Sequence, residues 1–272
     1  MSLFGWIDPK DYSFNSFLLL ERFQIRYMMQ PRDGRANNPE WRRNIGIALN
    51  ANPAVMWYFK RRCPECADSV NEIVAETPMP TSADEIRQAE VYILGSVEDF
   101  TVHTTPEVMA EKCCYIRIWD KERLFELADF TNKIVLDVGA GSGRLTFAAA
   151  DKAAWVYASE PVGTMREFMR EKAAGEGIKN VRVCDGFANN LPFPDNTFDI
   201  VMHGHAIGDD MDNEIAELTR VCKPGGWLLD CPGDGERNYS LSEDKVARSF
   251  EALHHVGTMG NNVYRYRKQV AK

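Results

Sequence analysis

At 272 residues, 44% hydrophobic and 26% charged, the chain has an ordinary globular composition, with room for one sizeable α/β domain and a smaller appended element. No apolar run approaches the roughly 20 residues that span a bilayer. The N-terminus carries Gly5, Trp6 and Asp8 and no basic leader segment, so a cytoplasmic protein without a membrane partner is expected. The net charge of −8 is uneven: residues 1–62 hold ten Lys/Arg against five Asp/Glu, a balance of +5 that leaves −13 for the remainder. That acidic remainder argues against a broad nucleic-acid footprint, which needs clustered positive charge, and the basic start reads as a solvated helical surface. Seven cysteines, an odd number, point to reduced thiols.

In chain order, apolar spacing predicts helices over 14–29 and 40–50, separated by turn residues around Pro31-Arg32-Asp33-Gly34 and Asn37-Asn38-Pro39. A helix over 64–76 is ended by Pro78 and Pro80, and Ser82-Ala83-Asp84-Glu85 starts another through Leu94. Residues 106–112 and 120–130 read as two more. From Lys133 strands and helices alternate, the sign of a parallel sheet. Strands are expected over 134–138, 155–159, 181–184, 198–202 and 227–230, and helices over 144–151, 164–174 and 213–221. Lys223-Pro224-Gly225-Gly226 stops the last helix, and 252–258 with 263–269 form a hairpin around Gly260-Asn261-Asn262. The division expected is a helical region over 1–125 and an α/β domain over 126–272.

The stretch 135–143 reads V-L-D-V-G-A-G-S-G, with Gly139, Gly141 and Gly143 between an apolar strand and a helix. Such a turn lets backbone approach a ligand closely, and the helix N-terminus offers free N–H groups. The dinucleotide pattern G-x-G-x-x-G fails, because its sixth position is Arg144. The second strand ends V-Y-A-S-E at Glu160, whose two carboxylate oxygens suit a vicinal diol. Further on come C-D-G-F-A-N-N-L-P-F-P-D-N-T-F-D-I-V at 184–201 and T-R-V-C-K-P-G-G-W-L-L at 219–229.

With these four motifs in order, residues 133–231 resemble the class I S-adenosylmethionine-dependent methyltransferase family, in its small-molecule branch. The resemblance implies a Rossmann-like, seven-stranded, mostly parallel α/β sheet of order 3-2-1-4-5-7-6. It implies S-adenosylmethionine as cofactor, held by the loop residues Asp137, Gly139, Ala140, Gly141 and Gly143. Glu160 and Pro161 fall at the ribose, Asp185, Gly186 and Phe187 at the adenine, and His203 toward the methionine part. Asp137 has an alternative role, orienting the loop rather than touching ligand. Tyr115, in C-C-Y-I-R-I-W-D, is the candidate to cover the cofactor, with interdomain packing as its other reading; Trp119 is a second candidate. The implied activity is direct in-line methyl transfer to a small-molecule acceptor. Retained cofactor binding without turnover, and RNA methylation through the basic N-terminal region, are the alternatives.

The fourth strand runs out as M-H-G-H-A-I-G-D-D at 202–210. An imidazole titrates near neutrality, so His203 or His205 is a candidate general base, against the reading that one packs and the other contributes backbone. Cys63-Pro64-Glu65-Cys66 supplies two of the four ligands a tetrahedral zinc needs, and residues 67–102 contain no Cys or His, so no metal is expected. Most of the N-terminal aromatics Trp6, Phe14, Tyr27, Trp41, Trp57 and Tyr58 are expected to be buried in a cap over the acceptor pocket, or else in a homodimer contact.

Overall fold

The computed structural model describes residues 7–30, 37–78, 80, 82–208, 210–235 and 239–271. The turn at 31–34 and Trp6 lie outside the described residues. The chain divides into two compact units, one ending at Thr105 and the other beginning at Pro106. Among the described residues no helix is long and apolar enough to cross a membrane.

The first unit is helical: α1 (Arg22–Met29), α2 (Pro39–Ala51), α3 (Pro53–Arg62), α4 (Ala67–Glu76), α5 (Ala83–Ser96) and α6 (Glu98–His103). The single helix expected over 14–29 is two pieces, a 3-10 segment Phe14–Leu19 and then α1. The break has a cause in the sequence: Glu21 and Gln24 exchange side-chain and backbone bonds as a capping box, which starts a new helix there. Helices α3 and α6 were not predicted. Asn52 ends α2 and at once precedes α3, whose Pro53 sits in the first turn, where its missing N–H costs nothing. Phe14, Phe17 and Phe59 form an aromatic cluster, and Trp41 is buried with its indole N–H donating to Ser96 Oγ at 3.2 Å. Trp57 and Tyr27 are instead exposed, at 63% and 39%, which departs from the expected burial of the aromatics.

The second unit opens with three short helices, α7 (Pro106–Lys112), α8 (Cys114–Arg117) and α9 (Glu122–Phe125). The helix expected over 120–130 shrinks to α9, while Leu124, Leu127 and Phe130 still reach the core. Then come β1 (Ile134–Val138), α10 (Arg144–Ala150), β2 (Trp155–Ser159), α11 (Gly163–Gly175), β3 (Val181–Cys184), β4 (Phe198–His203), α12 (Met211–Val221) and β5 (Cys222–Asp230). A short α13 (Glu243–Ala247), also not predicted, precedes the hairpin β6 (Glu251–Val256) and β7 (Asn262–Gln269). The sheet order is 3-2-1-4-5-7-6, as expected, with β7 antiparallel to its neighbours.

Alternation along the strands builds two cores. Val135, Val156, Ile200 and Leu229 face Leu145, Ala149, Leu124 and Phe130 on one side. Leu136, Val201 and Leu228 face Ile215, Leu218 and Phe250 on the other. Each such side chain contributes about 1.5–3 kcal/mol when fully buried. Lys223-Pro224-Gly225-Gly226 does not end the chain's pairing. It is an irregularity inside β5, where the register with β4 jumps from Cys222 opposite Phe198 to Trp227 opposite Ile200. Asp199 fixes this corner, accepting from Lys223 Nζ at 2.8 Å and from the Ile134 N–H at 2.9 Å.

Register also lines up one row across the carboxyl ends of the strands. Ser159 pairs with Val138, Val138 with His203, His203 with Asp230, and Asp230 with Tyr266. Partners in register share a face, so a histidine, an aspartate and a tyrosine stand side by side at the sheet's functional edge.

Candidate active site

The glycine loop after β1 takes left-handed backbone at Gly139, Gly141 and Gly143, with φ of 64°, 56° and 89°, a conformation that glycine adopts without steric cost. Two of the three positions are also tight: a Cβ on Gly139 would lie 2.4 Å from Ala206 Cβ, and one on Gly143 would lie 2.5 Å from the Phe147 ring. At Gly141 nothing comes closer than 3.8 Å, so the loop's middle is its open point.

Glu160 buttresses that point. Its two carboxylate oxygens accept from the Gly141 N–H at 2.8 Å and from the Val162 N–H at 2.9 Å, and the residue is 5% exposed. Burial raises its pKa, and the two backbone donors pull the other way. Asp137 is fully buried beneath the loop and accepts from Thr146 Oγ1 at 2.6 Å. Burial pushes its pKa up to about 7, the Thr146 bond opposing.

A narrow cleft of about 50 Å³ runs over the loop, walled by Asp137, Gly139, Ala140 and Gly141 below and by Met109, Tyr115 and Ile116 of α7 and α8 above. Burial raises the Tyr115 pKa. Two polar atoms at this cleft are buried without a hydrogen-bond partner among the described residues, Ser142 Oγ and Arg144 Nη1. Arg144 is fixed at its other end, with Nη2 donating to the Cys231 carbonyl at 2.7 Å and the guanidinium 4.4 Å from the Trp119 ring centroid.

Of the other residues expected at the site, Pro161 follows Glu160 but does not line the cleft. Gly186 is close-packed, since a Cβ there would meet Ser159 Oγ at 2.4 Å. Asp185 is an exposed partner of Arg166 at 3.3 Å, and Phe187 is 42% exposed.

His203 and His205 belong to a second cavity, of about 290 Å³, at the ends of β4 and β5. His203 is 2% exposed, its Nδ1 3.6 Å from Asp230 Oδ1. Asp230 Oδ2 is paired with Lys245 Nζ of α13. Burial lowers the His203 pKa, as does Lys245, while Asp230 raises it. Burial works against the charge of Asp230, yet His203 and the Lys245 ammonium beside it hold its pKa below the ordinary range. The direction that follows is a neutral imidazole beside an ionised carboxylate, because Lys245 is the cation Asp230 already has. His205 takes left-handed backbone (φ 71°), rare for a residue with a Cβ, and its ring lies between Tyr115 at 5.3 Å and Tyr239 at 5.6 Å.

Residues 135–226 match the model of a methyltransferase domain family. This part of the chain is a class I S-adenosylmethionine-dependent methyltransferase domain. A demethylmenaquinone methyltransferase from Thermobifida fusca is 33% identical over 117 residues, 42% of this chain and 50% of that one. A ubiquinone/menaquinone biosynthesis C-methyltransferase from a Marinomonas species is 30% identical over 159 residues, 55% of this chain and 63% of that one. The chain thus spans about half the length of the first of these curated relatives. In fold, an S-adenosylmethionine-dependent methyltransferase from Aquifex aeolicus aligns with a TM-score of 0.51 at 22% identity, over 62% of this chain and 98% of that one.

In this methyltransferase domain, sequence reading missed Arg144, Asp230, Lys245 and Tyr239. Lys245 had a usable signal: Ser242 caps α13 by accepting from the Lys245 N–H, and Glu243 and Asp244 fill its first turn. Cys63 and Cys66 lie outside the domain, with sulfurs 3.2 Å apart and both buried. Among the described residues no group of three or more potential metal ligands converges.

Proposed function

We propose that the chain transfers the methyl group of S-adenosylmethionine to a small-molecule acceptor by direct in-line displacement. The observation that carries this reading is the joint presence at one loop of the Glu160 carboxylate, the open Gly141 and two buried donors without a partner among the described residues, Ser142 Oγ and Arg144 Nη1. A cofactor with a diol and a carboxylate uses such a set: Glu160 takes the ribose hydroxyls, and Arg144 and Ser142 take the amino-acid carboxylate. Tyr115 and Met109 would move aside to seat it and then cover it. The sulfonium supplies an activated leaving group, so the protein's task is alignment and exclusion of water. The names of the relatives bring quinone-type acceptors to the head of the panel to be tried. The helical region up to residue 125 is assigned to acceptor selection.

S-adenosylhomocysteine is expected to bind one site per chain and to raise the melting temperature, as a ligand of the native state does. Calorimetry that finds no binding at millimolar ligand defeats the proposal; a metabolite screen with methyl-labelled cofactor then identifies the acceptor.

Glu160→Ala is expected to weaken S-adenosylhomocysteine by about 1.5–3 kcal/mol, the range for hydrogen bonds to a charged group. Stability should fall as well, because the Gly141 and Val162 N–H groups lose a buried acceptor. An unchanged dissociation constant together with a lowered melting temperature would make Glu160 a structural brace alone.

A further inference from the structure

His203, Gly204 and His205 are consecutive, yet they face two spaces. Gly204 lines the cleft over the glycine loop, and the two histidines line the larger cavity. One short segment of backbone therefore borders both spaces, and the Tyr115 and His205 rings, one lining each, lie 5.3 Å apart. The larger cavity has aromatic walls, Tyr239, Tyr264 and Tyr266, and a polar floor of His203, Asp230 and Lys245. Its volume of about 290 Å³ is far more than a single water needs, room for a monocyclic acceptor.

The floor is not symmetrical. Asp230 and Lys245 satisfy each other's charge. The Tyr266 hydroxyl is occupied, accepting from the Ser242 N–H at 2.8 Å. His203 is the buried imidazole of this floor, and its Nδ1, 3.6 Å from Asp230 Oδ1, makes no hydrogen bond among the described residues. With Nδ1 turned to Asp230, the far edge of the ring is what the imidazole offers to a bound molecule.

We propose, resting on the methyl-transfer reading above, that this cavity is the acceptor site and takes a phenolic or enolic small molecule whose hydroxyl gives its proton to His203. Asp230 is the positioning residue. The acceptor's O–H bond breaks with its electron pair staying on the acceptor and its proton going to the ring nitrogen turned away from Asp230. The acceptor, now an anion, forms its bond to the methyl carbon while the C–S electron pair leaves with sulfur. The imidazolium so formed is held in place by Asp230, whose charge it shares with Lys245, and returns its proton to water once the product has gone. The charged and titratable groups that line the cavity with His203 are Asp230 of β5, Lys245 of α13, His205, Tyr239, and Tyr264 and Tyr266 of β7. The planar walls fit an aromatic ring through stacked or edge contacts.

The test uses para-nitrophenol, whose ionised form absorbs at longer wavelength than its neutral form, with the full chain saturated in S-adenosylhomocysteine. At a pH near the probe's own pKa, the bound probe is expected to show a larger ionised share than the free probe, since pairing with the probe's anion offsets the burial that depresses the His203 pKa. His203→Gln is expected to bind it in the neutral form, and Asp230→Asn to lower the ionised share, with S-adenosylhomocysteine affinity retained in both. Should either variant lose its fold, Ser240→Trp tests the location, since an indole added at this small wall residue takes space the probe needs. No binding to the loaded wild type, a bound probe no more ionised than the free one, an ionised share unchanged in His203→Gln, or undiminished binding in Ser240→Trp each overturns the assignment. If S-adenosylhomocysteine itself fails to bind, the methyl-transfer reading is what falls, and the probe spectrum of the unloaded chain still reports on the cavity.

Discussion

Replacing Lys245 with methionine is expected to destabilise the fold by about 3–5 kcal/mol, the range for breaking a buried ion pair from one side. Asp230 has a side chain only 5% exposed, and Lys245 Nζ is its ion-pair partner, itself 16% exposed at the side chain. Methionine keeps most of the volume and the contact with the Tyr266 ring, which the ammonium now overlies at 4.9 Å. What is lost is the charge. Asp230 must then either remain ionised without a counter-ion or take up a proton, and the second response raises its pKa. The loss should therefore be smaller in acid than at neutral pH. Adding Asp230→Asn removes the uncompensated charge and is expected to recover most of the lost stability, a coupling that a double-mutant cycle reads from urea denaturation. Equal stability of the single and double variants would mean that Asp230 carries no buried charge.

Asp137→Asn is expected to be more stable than the wild type at neutral pH and to lose that advantage in acid. Burial lifts the folded pKa of Asp137 from 3.8 to about 7, so between those values the folded chain holds a proton the unfolded chain has released. Stability attributable to this group falls as pH rises through that window and is level outside it. The interval sets a ceiling of about 4 kcal/mol on the difference. Asparagine still accepts from Thr146 Oγ1, so the variant isolates the charge from the hydrogen bond. Parallel melts of both proteins across the window check this. A difference that does not change with pH would place the ionised form at ease in the fold.

The second unit was legible because its signals are local and repeated. Each parallel strand is a short apolar run bounded by turn residues, and β1, β2 and β3 fall where the pattern places them. Asp137, Gly139 and Gly141 come together for the same reason, being neighbours on one turn. Lys245 and Asp230 meet only through the fold, fifteen residues apart on different elements, and no periodicity announces such a contact. Glu160, expected at a ribose, is buried by the returning glycine loop, a neighbourhood that nothing in V-Y-A-S-E announces. In the first unit the stretch 14–29 is apolar enough for one helix, and a capping box decides for two.

The side chains of α7 and α8 that roof the glycine loop have a kinetic meaning. With about 50 Å³ beneath Met109, Tyr115 and Ile116, a cofactor of the proposed kind enters only those molecules whose roof is momentarily raised. The measured dissociation constant is then the intrinsic one divided by the raised fraction, and at high ligand concentration the rate of binding levels off at the rate of raising. Substitutions along 109–116 can thus tune affinity in either direction by changing how much of the time the door stands open, apart from any change in contact with the bound molecule.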